Sequence, residues 1–181
     1  MNKRFLAVSL FVAGAALARL LPHPPNITPI AAMALFGGAY LANRKLAFAL
    51  PLIAMLLSDL VLGLTIYGKV LVFSQPVVYL CMLATVAIGG LIRSRKSWWI
   101  IALASLASSV MFFFVTNFGV WAFESLYPRN WIGLMTCYTA AIPFFRNSIA
   151  GDLCFAVILF GGFALLEKSV VSVREPKPLY S

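Results

Sequence analysis

Arg19-Leu20-Leu21-Pro22-His23-Pro24-Pro25-Asn26-Ile27-Thr28-Pro29 separates two apolar runs and holds four of the chain's ten prolines and its one histidine. Proline fixes φ and removes a backbone donor, so this segment is not helix interior. Each residue before a proline is also pushed toward extended geometry. The apolar runs on either side, about Arg4–Leu21 and Ile27–Ala42, therefore read as two helices joined by a rigid polar connection. Between membrane helices such a connection is tolerated only at an interface or where it lines a protein cavity. The segment is thus a candidate ligand cap.

The composition fixes the class. The chain is 62% hydrophobic and 10% charged, with mean hydropathy +0.97, whereas a soluble domain is about a quarter charged. An all-α integral membrane protein is expected, a single membrane domain over residues 1–181. Its length suffices for about six spans of roughly 20 residues. They fall at about Arg4–Leu21, Ile27–Ala42, Leu46–Leu64, Gln75–Ile92, Trp98–Phe118 and Asn147–Leu166. The second is short, and Gly37-Gly38 weakens it further. Trp131–Phe145 is apolar but interrupted by Pro143; it reads as a lumenal or re-entrant helix, with a seventh span as the alternative. The start of the chain resembles a signal peptide, but the apolar run continues to Leu21.

Ten of the fourteen lysines and arginines fall on one side of this arrangement: Lys3, Arg4, Arg44, Lys45, Arg93, Arg95, Lys96, Lys168, Arg174 and Lys177. Arg19, Lys69, Arg129 and Arg146 fall on the other. Positive charge marks the cytoplasmic side, so both termini are expected in the cytoplasm, with a charged tail over about 168–181. The net charge of +9 is thereby a topology signal, and no nucleic-acid partner is inferred from it.

With this orientation the polar residues gather toward the outer face, which implies an outward-facing pocket with a closed inner half. Asp59 lies near the outer end of span three. An ionisable residue inside a span is costly and points to function, although capping or pairing with a basic side chain would also explain it. Asp152 reads as a partner of Arg146 or a cap of span six, and Asn117-Phe118-Gly119 as the end of span five. His23, Asn26 and Thr28 occupy the first outer loop; His23 is either an imidazole metal ligand or a plain interfacial residue. Tyr138 joins Asn117 among the pocket candidates. The tryptophans and Tyr127 suit the membrane interface.

The three cysteines, Cys81, Cys137 and Cys154, have no spacing that suggests a disulfide framework or a zinc site. Cys81 has a distinct setting, with Tyr79 two residues before it and Thr85 and Gly89 at i+4 and i+8. It is either a small buried hydrophobe or a thiol facing a cavity, where thiolate would be a soft ligand for a transition metal. No P-loop, dinucleotide fingerprint, H-E-x-x-H or G-x-S-x-G occurs, so no nucleotide is expected. Ser9, Ala13, Gly14 and Ala18 give span one a small-residue face suited to close helix contact, inside this protein or against a second one.

Arg19–Tyr40, Pro51–Gly63 with its Leu57-Ser58-Asp59, Thr116–Trp121, Ala141–Asn147 and Gly151-Asp152 together resemble a bacterial family of small six-span proteins. That family is similar to the substrate-binding S-components of energy-coupling-factor vitamin transporters. The blocks cover most of residues 19–160. A cysteine in span four, in Val77-Val78-Tyr79-Leu80-Cys81, looks like the BtuM branch, solitary S-component-like proteins implicated in vitamin B12 uptake. The resemblance implies a monomer in the bacterial inner membrane that binds cobalamin from the outer side. It implies Cys81 as axial ligand of the cobalt and as the thiolate that promotes loss of cyanide from cyanocobalamin. Asp59, Tyr79, His23, Asn26, Thr28, Asn117 and Tyr138 would line the pocket, and the loops around His23 and Trp131 would act as lids. A shared energy-coupling module is left open as a partner. The rival readings are an S-component for another small vitamin or precursor with a structural Cys81, a corrinoid-acting membrane enzyme, and a structural partner of another membrane protein.

Overall fold

A computed structural model describes residues 3–67 and 75–174. Lys69, Lys177 and the tail from Glu175 lie outside the described residues. Within them every regular element is helical. The helices are α1 (Lys3–Ala18), α2 (Ile30–Tyr40), α3 (Arg44–Leu62), α4 (Gln75–Leu91), α5 (Trp98–Phe123), α6 (Trp131–Ala156) and α7 (Gly162–Ser169). A wider π turn, Gly63–Tyr67, extends α3, and another, Val157–Gly161, joins α6 to α7. Three of these stretches are long and apolar enough to cross a membrane: Arg44–Ile66, Trp98–Phe123 and Trp131–Ser169.

The arrangement is built around α2. Every residue from Ala31 to Tyr40 is buried. Eleven residues span only about 16 Å at 1.5 Å per residue, well short of a roughly 30 Å hydrocarbon core. A helix that is apolar all round belongs in an interior, and α1, α3, α4, α5 and α6 all pack against it. Gly37-Gly38, expected to weaken this helix, instead permits its packing. A Cβ on Gly38 would collide with the Val86 carbonyl of α4, and one on Gly89 with the Leu35 carbonyl of α2. A Cβ on Gly37 would meet the ring of Pro51 on α3 at 2.7 Å.

One end of α2 is locked by cations. Arg93 donates to the carbonyls of Gly38 and Ala42, each at 3.1 Å, and to that of Leu41. These are terminal helix acceptors, which a guanidinium both bonds and complements electrostatically. Lys96 lies 5.1 Å from the Tyr40 ring centroid. Arg4 pairs with Glu167 at 2.5 Å and bonds the Val173 carbonyl at 2.9 Å. This tethers α1 to α7 and to the turn that follows it. Phe11, Phe36, Tyr40, Phe160 and Phe163 form the aromatic packing beneath, with centroids 4.5–5.8 Å apart.

Two span expectations change. Trp131–Phe145 is neither a separate re-entrant helix nor a seventh span: α6 runs through Pro143, and Trp131–Ser169 is one continuous 39-residue helix. At about 58 Å it exceeds the roughly 45 Å of a whole bilayer. Proline inside a helix removes one backbone donor, and here the helix continues past it without a break. Asn117-Phe118-Gly119 does not end α5, which continues to Phe123. Gly119 there packs on Val77 of α4.

The α2–α4 contact gives a direct test. Gly89→Ala should lower the thermal unfolding midpoint in detergent, with a cost of roughly 1–3 kcal/mol for overpacking. Gly90→Ala, whose Cβ would meet nothing within 4 Å, should leave it nearly unchanged. Equal effects would contradict the packing.

Candidate functional site

Asp59 is the hub of the polar residues at the end of the bundle opposite Arg93. It is buried, 8% exposed, on α3. Its Oδ1 faces the Arg19 guanidinium just beyond α1 in a direct ion pair. Its Oδ2 accepts from the Tyr79 hydroxyl at 2.5 Å and from Gln75 Nε2 at 2.7 Å, both on α4. Arg19 also donates to Ser58 Oγ at 2.7 Å, and Ser58 in turn donates to the Met55 carbonyl at 2.9 Å. Ionised carboxylates only accept, and here every neighbour is a donor. One charged pair with neutral donors thus ties α1, α3 and α4 together.

Cys81 sits six residues after Gln75, about 9 Å further along α4. It is 2% exposed and shares the buried face of α4 with Met82, Thr85, Val86 and Gly89. Thr85 donates to the Cys81 carbonyl at 2.9 Å. The Cys81–Thr85–Gly89 stripe meets α2 at its Gly89 end, so there its small residues serve helix packing. All three cysteines are free; Cys137 is buried and Cys154 exposed. Among the described residues no three His, Cys, Asp or Glu side chains come together as a metal set.

The other predicted residues divide into two groups. Asn117 on α5 and Tyr138 on α6 lie where these two helices pack together. Asn117 Nδ2 donates to the Phe113 carbonyl and the Tyr138 hydroxyl to the Phe114 carbonyl, each at 2.7 Å. Cys137 Sγ lies 3.4 Å from the Asn117 carbonyl. His23, Asn26 and Thr28 lie on the connection between α1 and α2. Its Ile27 N–H donates to the Pro24 carbonyl at 3.1 Å, and Asn26 has φ +63°. Pro at i+1 followed by positive φ at i+2 is the type II turn pattern. His23 is exposed, and its Nδ1 lies 2.6 Å from the Leu21 carbonyl, which makes Nδ1 the protonated nitrogen. Asn147 of α6 donates to the Pro25 carbonyl at 3.0 Å, and Gly151 leaves room for the backbone of Ile27 and Thr28. The connection is therefore docked on α6. Trp131 begins α6 and is exposed.

Asp152 departs from expectation. It neither pairs with Arg146 nor caps a helix end. It is buried inside α6, 6% exposed, and meets Ser109 Oγ of α5 at 2.6 Å. Six residues rotate a helix by about 240°, which puts Arg146 on another face. The sequence reading also left out Arg19 and Gln75 as site members, and Ser109. For Ser109 a signal was present: Ile101, Ala104, Ser105, Ser108 and Ser109, the buried face of α5, follow the helical spacing of one stripe.

Two surface hollows flank these groups. An apolar groove of about 340 Å³ runs between α1 and α3, past Ser9, Ala13, Leu17, Leu50 and Leu57 to Ser58. A second, of about 520 Å³, lies along the start of α6 at Trp131, Met135 and Thr139. Neither is lined by Cys81, Asp59 or Tyr79.

The structure is therefore an all-helical bundle with an apolar exterior, a central buried helix and a polar cluster at one end. By sequence, residues 1–175 match the family described as "Family of unknown function (DUF6580)", and the chain belongs to that family. No curated protein and no solved structure matches it.

Removing one member of a buried ion pair strands the other, at a cost of about 3–5 kcal/mol. Arg19→Leu and Asp59→Leu should each lower the unfolding midpoint sharply, and the double variant should lose less than the sum of the two. Additive losses would show that the pair contributes no coupling.

Proposed function

We propose that this protein is a six-helix, S-component-like inner-membrane protein that takes up cobalamin, with Cys81 as the axial ligand to the cobalt of its substrate. The observation that carries the reading is the setting of Cys81 in α4: a free thiol in apolar surroundings, about 9 Å along the helix from Gln75 and about 3 Å from Tyr79, the two α4 partners of Asp59. A polar cluster over a soft ligand suits a substrate with a polar, amide-rich edge and a cobalt centre. Cobalt binding requires the thiolate, and the metal itself favours that form. A cobalt–sulfur bond would in turn weaken the hold on cyanide on the opposite face.

Membrane insertion is supported by the three long apolar helices and by the exterior. Leu10, Leu17, Leu91, Leu103, Ile132 and Leu165 are each more than 60% exposed, a surface suited to lipid tails rather than water. The cationic end with Arg4, Arg44, Arg93 and Lys96 would face the cytoplasm, and the Asp59 end the substrate. The Arg19–Pro29 connection and the early turns of α6 would flank the entrance. Entry of a corrinoid to Cys81 requires Arg19, Tyr79 and Gln75 to exchange contacts with Asp59 for contacts with substrate, so binding and opening occur together.

A second reading is favoured by the packing of the Cys81–Thr85–Gly89 stripe toward α2. In it the protein binds a smaller vitamin or precursor, and Cys81 is a packing residue.

The two separate in one experiment. Wild type, Cys81→Ala and Cys137→Ala are purified from cells supplied with cobalamin, and their visible spectra are recorded. The first reading expects a bound corrinoid with a thiolate-shifted spectrum in wild type and Cys137→Ala, and loss of that shift in Cys81→Ala. Identical spectra and equal bound corrinoid in all three would remove Cys81 as ligand.

A further inference from the structure

Five acidic residues are present, Asp59, Glu124, Asp152, Glu167 and Glu175. Among the described residues Asp59 and Glu167 have arginine partners, and Glu124 caps the end of α5 at the surface. Asp152 is different. It is 6% exposed, and no ion pair reaches it among the described residues. Its polar contact is Ser109 Oγ at 2.6 Å, and Ser109 is 1% exposed.

Donor counting on Ser109 decides what this contact is. A serine hydroxyl carries one proton and two lone pairs. Ser109 Oγ lies 2.6 Å from Asp152 Oδ2 and 3.1 Å from the Ser105 carbonyl. If Asp152 were ionised, both neighbours would be acceptors competing for one proton, and the 3.1 Å contact to the Ser105 carbonyl would be left without a hydrogen. If Asp152 carries a proton, it donates to Ser109 Oγ, and Ser109 donates to Ser105. Both contacts are then satisfied. An isolated ionised carboxylate in an apolar interior would be far costlier. A second hydroxyl lies one turn away on the same face of α5: Ser105 Oγ is buried, 1% exposed, and has no hydrogen-bond partner among the described residues.

We propose that Asp152 and Ser109 form a proton-binding site on the α5–α6 seam, occupied by a proton in the conformation described. The ligand is the proton itself. Release breaks the Asp152 O–H bond, leaves the electron pair on the carboxylate and passes the proton to water entering the seam. The seam must therefore part for the site to empty, which links its protonation to the separation of α5 and α6. Little else that titrates faces the site. Helix α5 carries no titratable side chain. On α2 the one such group is Tyr40, packed on Phe160 and Phe163. On the docked connection they are His23, exposed and bonded to Leu21, and Arg19, paired with Asp59. On α6 itself Arg146 and Cys154 are exposed, and Cys137 and Tyr138, on the same seam, lie about 20 Å further along the helix. The inference goes beyond cobalamin binding and does not depend on it.

Infrared difference spectra of the full chain in lipid nanodiscs, titrated from neutral to alkaline pH with no corrinoid present, test it. Wild type should show a protonated carboxylic C=O band at neutral pH that converts to carboxylate as pH rises. Asp152→Asn, close to isosteric, should lack the band. Ser109→Ala should keep it, shifted to the higher frequency of a carboxyl that has lost its hydrogen-bond partner. A band that survives in Asp152→Asn, or its absence from wild type at neutral pH, would overturn the proposal. So would its removal at constant pH by sodium but not choline, which would make the site one for a metal cation.

Discussion

The backbone-to-backbone contact between α2 and α4 is the constraint from which the remaining arrangement follows. Gly38 lies against the Val86 carbonyl and Gly89 against the Leu35 carbonyl. Lipid tails are as apolar as leucine, so helices in a bilayer associate mainly through close van der Waals fit, and small residues permit it. Because α2 is surrounded on every face, it need not meet lipid or span the bilayer. Its short length is then harmless. Its ends are completed by other parts of the chain: Arg93 takes the carbonyls at one end, and the Arg19–Pro29 connection, docked on α6 through Asn147 and Gly151, leads into the other.

Two buried carboxylates are kept in this apolar bundle by opposite means. Asp59 has Arg19, Tyr79 and Gln75 as donors to both its oxygens, and the pair joins three helices at one end. Among the described residues Asp152 has a serine and no cation as partner, and in the arrangement proposed above its burial is made tolerable by a proton. The first arrangement responds to anything that competes for its donors, the second to whatever opens the seam beside it. Both lie on contacts between helices rather than within one, where a small shift of either helix changes the chemistry.

Much of the architecture was legible in the sequence because apolar run length and charge placement are local signals. The starts of α4 and α5, the cationic end and the non-helical Arg19–Pro29 connection could be read directly. Features that depend on three-dimensional neighbours were not. Gly37-Gly38 looked like a weakness because helix propensity counts glycine as a loss, while its value lies in a facing helix. Pro143 looked like a break because its missing donor is judged without the surrounding bundle. Asp152 was matched to Arg146 by proximity along the chain, although helical rotation separates them. Asp59 was recognised as an expensive residue that pointed to function, with a helix cap or a basic partner as alternatives, but Arg19 as that partner required the α1–α3 packing. The Cys81 stripe was visible in sequence, yet whether its small residues face a cavity or a neighbouring helix is decided at Gly89 by Leu35.

Membership of a family of unknown function leaves the activity to be argued from chemistry, and the chemistry turns on a free thiol beyond a polar cluster in the half of the bundle opposite Arg93. The central claim is transport of cobalamin, and its most direct measure is accumulation of cobalt-labelled cobalamin by cells that lack their own inner-membrane cobalamin transporter. Cells producing this protein should accumulate label above the empty-vector background, and unlabelled cobalamin should compete it away. Accumulation no greater than background, with the protein present in the membrane at normal abundance, would contradict the account.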